Sequence, residues 1–191
     1  MVTVSRRRII AVVCILAAFA AVAALAWLRK RSLVLYADTS EAAHMVQSIR
    51  VAEEVFHAEM GTYANVSTAL AANQRTNHFA LYPQAPREPG DYAVSWGGAC
   101  PPSACLTSWS TLPVHAERSV RFGYSVVAGR AGERPIAAVT LDGVPVAWPV
   151  PDEDWYIVTA VGDVHATGVF TTVLGTSFDN NLRFDGADTN R

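Results

Sequence analysis

The sequence predicts an α+β fold in which one long N-terminal helix, membrane-spanning and then amphipathic, packs on an antiparallel β-sheet. Three observations carry this expectation. No Gly or Pro occurs between Ile9 and Met60, so nothing in that stretch interrupts a helix. Within it, apolar residues recur at three- and four-residue steps from Ala42 to Phe56. Beyond Gly90, short segments rich in β-branched and aromatic residues alternate with turn residues.

Ile9–Leu28 is an uncharged run that matches the ~20 residues needed to cross a bilayer. Continued to Met60 as one helix, it would extend ~78 Å at ~1.5 Å per residue. Arg6, Arg7 and Arg8 precede the run, and Arg29, Lys30 and Arg31 follow it, so flanking charge is nearly balanced. The α-amino group and a pair of close cysteines favour a cytoplasmic N-terminus. The expected location is the bacterial inner membrane, single-pass, with residues 1–31 forming a basic tip and transmembrane helix. Residues 32–191 then form a periplasmic or extracellular head. Ile9, Ile10 and Leu28 would meet membrane lipid. Ala17, Ala18, Ala21 and Ala24 form a small-residue face that either lets helices approach closely or also faces lipid. The alternative is cleavage after Ala26, at Ala24-Leu25-Ala26, which would release an exported, soluble, β-rich binding module. Trp96, Trp109, Trp148, Trp155, Tyr92 and Tyr124 could then line a ligand face. Ser5-Arg6-Arg7-Arg8-Ile9 also loosely resembles a twin-arginine export signal. A lipoprotein signal is excluded because Val13 stands where a small residue would precede Cys14.

Asp38 is placed to N-cap the amphipathic part, with Glu41 returning the capping-box contact. Ala42, Met45, Ile49, Ala52 and Phe56 then form the packing stripe, widened by Val46 and Val55. Glu41, Gln47, Arg50, Glu53 and Glu54 occupy other faces, and Gly61 supplies the stop. Residues 62–90 read as a loop-rich connection with a short helical piece at Ser67–Gln74, punctuated by Pro83, Pro86 and Pro89. The predicted strands are Tyr92–Trp96, Val120–Ala128, Pro135–Leu141, Val144–Trp148, Trp155–Val161 and Gly168–Leu174. Asp142-Gly143 is a strong hairpin signal. The polar tail from Phe178 is expected to fray.

A net charge of −2 gives no global case for nucleic-acid binding. Without the apolar run, roughly 155 residues remain, enough for one domain with its own core. Cys100 and Cys105 bracket a Pro-Pro-Ser-Ala loop and predict a disulfide in an oxidising compartment. A zinc site would need two more ligands, and the five histidines show no ligand spacing. Redox chemistry would favour two intervening residues over the four found here. Asp163-Val-His165-Ala-Thr167-Gly168 is a faint match to a calcium loop, and the turn reading is preferred. Asp152-Glu153-Asp154 reads as a solvated turn, and Asn65-Val66-Ser67 is a glycosylation sequon by pattern only. No nucleophile elbow, zinc-protease motif or phosphate-cradling loop occurs, so neither enzyme activity nor a cofactor is expected.

Ala52-Glu53-Glu54-Val55-Phe56-His57-Ala58-Glu59-Met60-Gly61-Thr62-Tyr63 is similar to the A-x-x-x-Y/F-x-x-E-x-G-x-Y segment that closes the long helix of type IV pilins. Trp155–Asp163 is similar to a late strand and Gly-Asp turn in several of them. With the apolar-then-amphipathic N-terminus, the chain resembles a type IV pilin or pilin-like protein. The resemblance touches both ends of the sequence and leaves the middle unmatched. It implies a structural, membrane-anchored subunit or accessory component of a type IV pilus or related secretion or assembly system. Its partners would be other pilin-like subunits or an assembly machine, with homo-oligomers possible. The family's cleavage-site glycine and helix glutamate are both missing, since Arg8 runs directly into Ile9 and no acid interrupts the apolar run. That departure implies an anchored accessory role over bulk polymerisation.

Overall fold

The computed structural model describes residues 6–70, 80–83, 93–102, 104–137, 139–163, 168 and 170–185, with helix side chains described at 15–17, 19–26 and from 39 onward. The chain divides into two compact units, Met1–Ala37 and Asp38–Arg191. Helix α1 runs Arg6–Met60. In the first unit its described apolar residues are open to their surroundings: Ile15, Leu16, Phe19, Val22 and Leu25 are all more than half exposed.

The second unit is built on antiparallel pairing. Its strands are β1 (Gly123–Gly129), β2 (Thr140–Leu141), β3 (Val144–Pro145), β4 (Trp155–Gly162), β5 (Thr171–Thr176) and β6 (Arg183–Asp185), with one 3₁₀ turn at Trp109–Thr111. A four-stranded sheet has the order β1-β4-β5-β6, and β2 pairs with β3 in a separate hairpin. Asp142 and Gly143 turn that hairpin with φ of 51° and 74°, the left-handed conformations that the Asp-Gly pair supplies at low cost.

β4 is buried along its whole length, so both faces of the sheet are covered. On one face Tyr156, Val158 and Ala160 share a core with Ala42, Met45, Val46, Ile49 and Ala52 of α1. On the other, Trp155, Ile157 and Leu174 pack with Leu70, Val139 and Leu141. The alternation follows from the two-residue period of a strand. Burial of the helix stripe is nearly complete: Ala42 and Ile49 are 0% exposed and Met45 is 8%. Phe56 is partly buried against the same core. Of the two residues expected to widen the stripe, Val46 is buried and Val55 is not.

Helix and sheet approach closely at Gly175. A Cβ there would lie 2.8 Å from Val46 Cγ1 and 2.9 Å from Arg50 Cδ. Gly175→Val is therefore expected to cost about 1–3 kcal/mol by overpacking. Gly98→Val, where a side chain meets open space, should change the urea midpoint little by comparison. Equal midpoints for the two variants would contradict this close approach.

Several expectations are corrected. The α+β fold class, with a long helix that spans a membrane before packing on the sheet, does not hold. The second unit is mostly antiparallel sheet, and the helix packed on it is the 22-residue stretch from Thr39 to Met60. Among the described residues no helix is long and apolar enough to cross a membrane. The single-pass inner-membrane location with a cytoplasmic N-terminus is withdrawn on the same ground. Asp38 does not cap a helix start, because α1 passes through it. Glu41, expected to complete that cap, instead accepts the backbone N–H of Arg121 at 2.8 Å.

The sheet also departs from expectation at its margins. β6 forms from tail residues expected to fray, pairing Phe184 with Val173. Pro135–Leu141 and Val144–Trp148 contribute only two residues each to β2 and β3. Tyr92–Trp96 yields a lone bridge between Val94 and Val120. Residues 71–74 of the predicted Ser67–Gln74 helix, and Pro86, Pro89, Gly90 and Tyr92, lie outside the described residues, while Ser67 bridges Cys105.

Candidate functional site

Two places in the second unit bring chemistry-bearing side chains together. The first is the end of α1. Gly61, at φ 71°, lets the chain leave the helix, and its N–H closes on the His57 carbonyl at 2.8 Å. Tyr63 then folds back. Its ring stacks on His57 with centroids 4.3 Å apart and meets Tyr156 edge-on at 4.7 Å. Its hydroxyl donates to the Glu54 carboxylate at 3.2 Å. Beneath it, Glu53 is fully buried, and its Oε2 accepts the Ala64 N–H at 2.8 Å. Glu53 Oε1 has no hydrogen-bond partner. Burial pushes the Glu53 carboxyl up from 4.5 to about 8, the Ala64 N–H opposes that rise, and the charge of Glu54 adds to it. One turn earlier, Arg50 donates to the carbonyls of Asp179 and Asn180 at 3.0 Å each, which pins the chain after β5 to the helix.

The second place is a cleft of about 240 Å³ lined by Tyr82, Trp96, Trp109, the Gly97–Cys100 backbone, Ser108, Ser110, Val114 and His115. Its aromatic wall is continuous. Tyr82 stacks on Trp109 at 5.1 Å and meets Trp96 edge-on at 5.0 Å, and Trp96 reaches Tyr124 at 5.7 Å. Hydrogen bonds hold these rings in place. The Tyr82 hydroxyl accepts from Gly97 N at 2.9 Å and donates to the Gly98 carbonyl at 3.1 Å. Trp96 Nε1 donates to the Val114 carbonyl at 3.1 Å. Trp109 Nε1 and the Tyr124 hydroxyl are buried without partners. Burial pushes the Tyr124 hydroxyl well above the ordinary tyrosine value, with the Glu41 charge adding to it. The Cys100–Cys105 disulfide closes the neighbouring loop, and a backbone bond from Leu106 N to the Val66 carbonyl at 2.8 Å anchors it.

The residues expected from sequence scatter around these two places. Cys100 and Cys105 are bonded as expected. Ala42, Met45, Ile49, Ala52 and Phe56 serve the core. Ala17, Ala21 and Ala24 are exposed, while the side chains of Ile9, Ile10, Ala18 and Leu28 lie outside the described residues. Of the aromatic set, Trp96 lines the cleft beside the buried Trp109, and Tyr124 backs it. Trp148 and Trp155 instead spend their indole N–H groups on the carbonyls of Ala137 and Glu133. Asp163 accepts the Gly168 N–H as a turn residue, and 164–167 lie outside the described residues. Among the described residues no cluster of His, Cys, Asp or Glu could hold a metal ion. Sequence reasoning missed Tyr82, whose only sign was a Tyr-Pro pair, and it placed Glu53 on an outer face. The glutamate sits one residue past Ala52, at the margin of the stripe, where a helix periodicity argument cannot decide its side.

The chain matches no family model, no curated protein and no solved structure.

Proposed function

We propose that this chain is a pilin-like structural protein that works by packing the outer face of its helix on the helices of like subunits. The observation that carries the reading is the division of labour along α1. Its inner stripe is committed to the sheet, while Val51 and Val55, one turn apart, remain 63% and 43% exposed. Earlier in the same helix, Ile15, Phe19 and Val22 fall on one face and are also exposed. Exposed apolar residues at helical spacing favour association with another helix. The segment similar to the pilin helix end gives further support, since Gly61, Tyr63 and Tyr156 build the joint that fixes helix to sheet. The missing processing glycine and helix glutamate favour an accessory component over the bulk subunit of a filament. No catalytic step is assigned.

A photo-crosslinking amino acid placed at Val51 or Val55 of the full chain, in its native cells, tests this. Adducts with pilin-like chains or with a second copy are expected at both positions, and not at the fully exposed Ile136. Adducts equal at all three positions, or at none, would remove the proposal.

A further inference from the structure

We propose that the aromatic cleft is a binding site for a neutral pyranose sugar. The lining limits the ligand by charge, shape and size. Among the described residues no Asp, Glu, Lys or Arg lines the cleft, so these residues offer an ionic ligand no counter-charge. The polar residues of the lining are Ser108, Ser110 and His115, beside Gly97 and Gly98, and the two serine hydroxyls bond each other at 2.7 Å. Such groups suit a ligand that both donates and accepts many neutral hydrogen bonds. The same lining carries the rings of Tyr82, Trp96 and Trp109, of which Trp96 is the half-buried member. A pyranose combines these two requirements, with hydroxyls around its rim and a C–H face that stacks on an indole.

Ring geometry separates this ligand from the main competitor for an aromatic site, a quaternary ammonium. An ammonium cage needs rings held apart around the cation. Here Tyr82, Trp96 and Trp109 pack on one another with centroids 5.0–5.5 Å apart, leaving no gap between them. Tyr82 and Trp109 are buried, so the surface left for stacking is that of Trp96, which they support from behind. At about 240 Å³ the cleft is smaller than the ~300–1,000 Å³ of sites for drug-sized ligands, which suits a single ring. The wall is already fixed by the Tyr82 and Trp96 hydrogen bonds, so little ordering is needed on binding. Over the rim at Gly98 a side chain would meet open space, so a ligand can approach the backbone there.

The test is a tryptophan-fluorescence titration of the full chain with the methyl glycosides of glucose, galactose, mannose and N-acetylglucosamine. Tetramethylammonium is the competing probe, and any detergent used should lack a sugar headgroup. At least one glycoside is expected to give a saturable change. Trp96→Ala should weaken it at least tenfold, and Gly98→Leu should weaken it comparably by filling the rim without touching the core. Gly98→Leu keeps all the tryptophans, so an unchanged near-ultraviolet circular dichroism spectrum shows that it is folded. No saturable response to any of the four glycosides overturns the proposal. So does full retention of the response in Gly98→Leu, or saturable binding of tetramethylammonium alone.

Discussion

Glu53→Gln is expected to remove a pH dependence that the wild-type protein carries between about pH 4.5 and pH 8. The folded carboxyl sits at about 8 because burial disfavours its charge, against 4.5 for the unfolded chain. Between those values the folded state holds one proton more than the unfolded state, so stability falls as pH rises. Below 4.5 both states are protonated and the full stability is present. Above about 8 the folded protein carries a buried carboxylate whose partner among the described residues is the Ala64 N–H. At ~1.4 kcal/mol per pH unit the loss is on the order of 3–5 kcal/mol across the window. Gln keeps the acceptor for Ala64 and never ionises. The two proteins should show similar urea midpoints at pH 4.5, and the variant should be the more stable at pH 8.5. A wild-type to variant difference that stays constant from pH 4.5 to 8.5 would show that Glu53 is not the titrating group.

Ile49→Ala is expected to cost about 2–5 kcal/mol, the range for emptying a fully buried aliphatic site. Ile49 is 0% exposed and lies in the core shared with Tyr156 and Val158. Val51→Ala, two residues on, should cost under ~0.5 kcal/mol, because Val51 faces outward. Thermal melts of both variants decide the matter. Similar losses for the two would mean that the helix is rotated relative to the sheet, and the packing stripe would have to be redrawn.

The parts of the fold that sequence makes legible are those set by local chemistry. Trp155–Val161 announces β4 through its β-branched and aromatic content, and Asp142-Gly143 announces a turn because few other pairs adopt two left-handed residues. Ala42, Met45, Ile49 and Ala52 announce an inner helix face through spacing alone. What stayed hidden depends on partners distant in the chain. Arg183–Asp185 is polar and reads as a tail, and it becomes a strand only because β5 presents an unpaired edge to it. Glu41 looks like a capping residue, yet Arg121 is what it serves. Tyr82 joins Trp96 and Trp109 through the path of the loop that carries it, and no local pattern encodes that meeting. The membrane expectation came from hydropathy counted along Ile9–Leu28, and among the described residues no helix is long and apolar enough to cross a membrane.

The Arg50 hydrogen bonds to Asp179 and Asn180 span about 130 residues of sequence. A ribosome adding roughly 5–20 residues per second needs about 7–26 seconds to make that length. For most of that interval Met45, Val46 and Ile49 are already synthesised, while β4 and β5, which will cover them, are not. The nascent chain therefore presents a sticky surface on the timescale at which chaperones capture clients. Its yield in cells should respond to chaperone supply and translation speed more than its equilibrium stability alone would suggest.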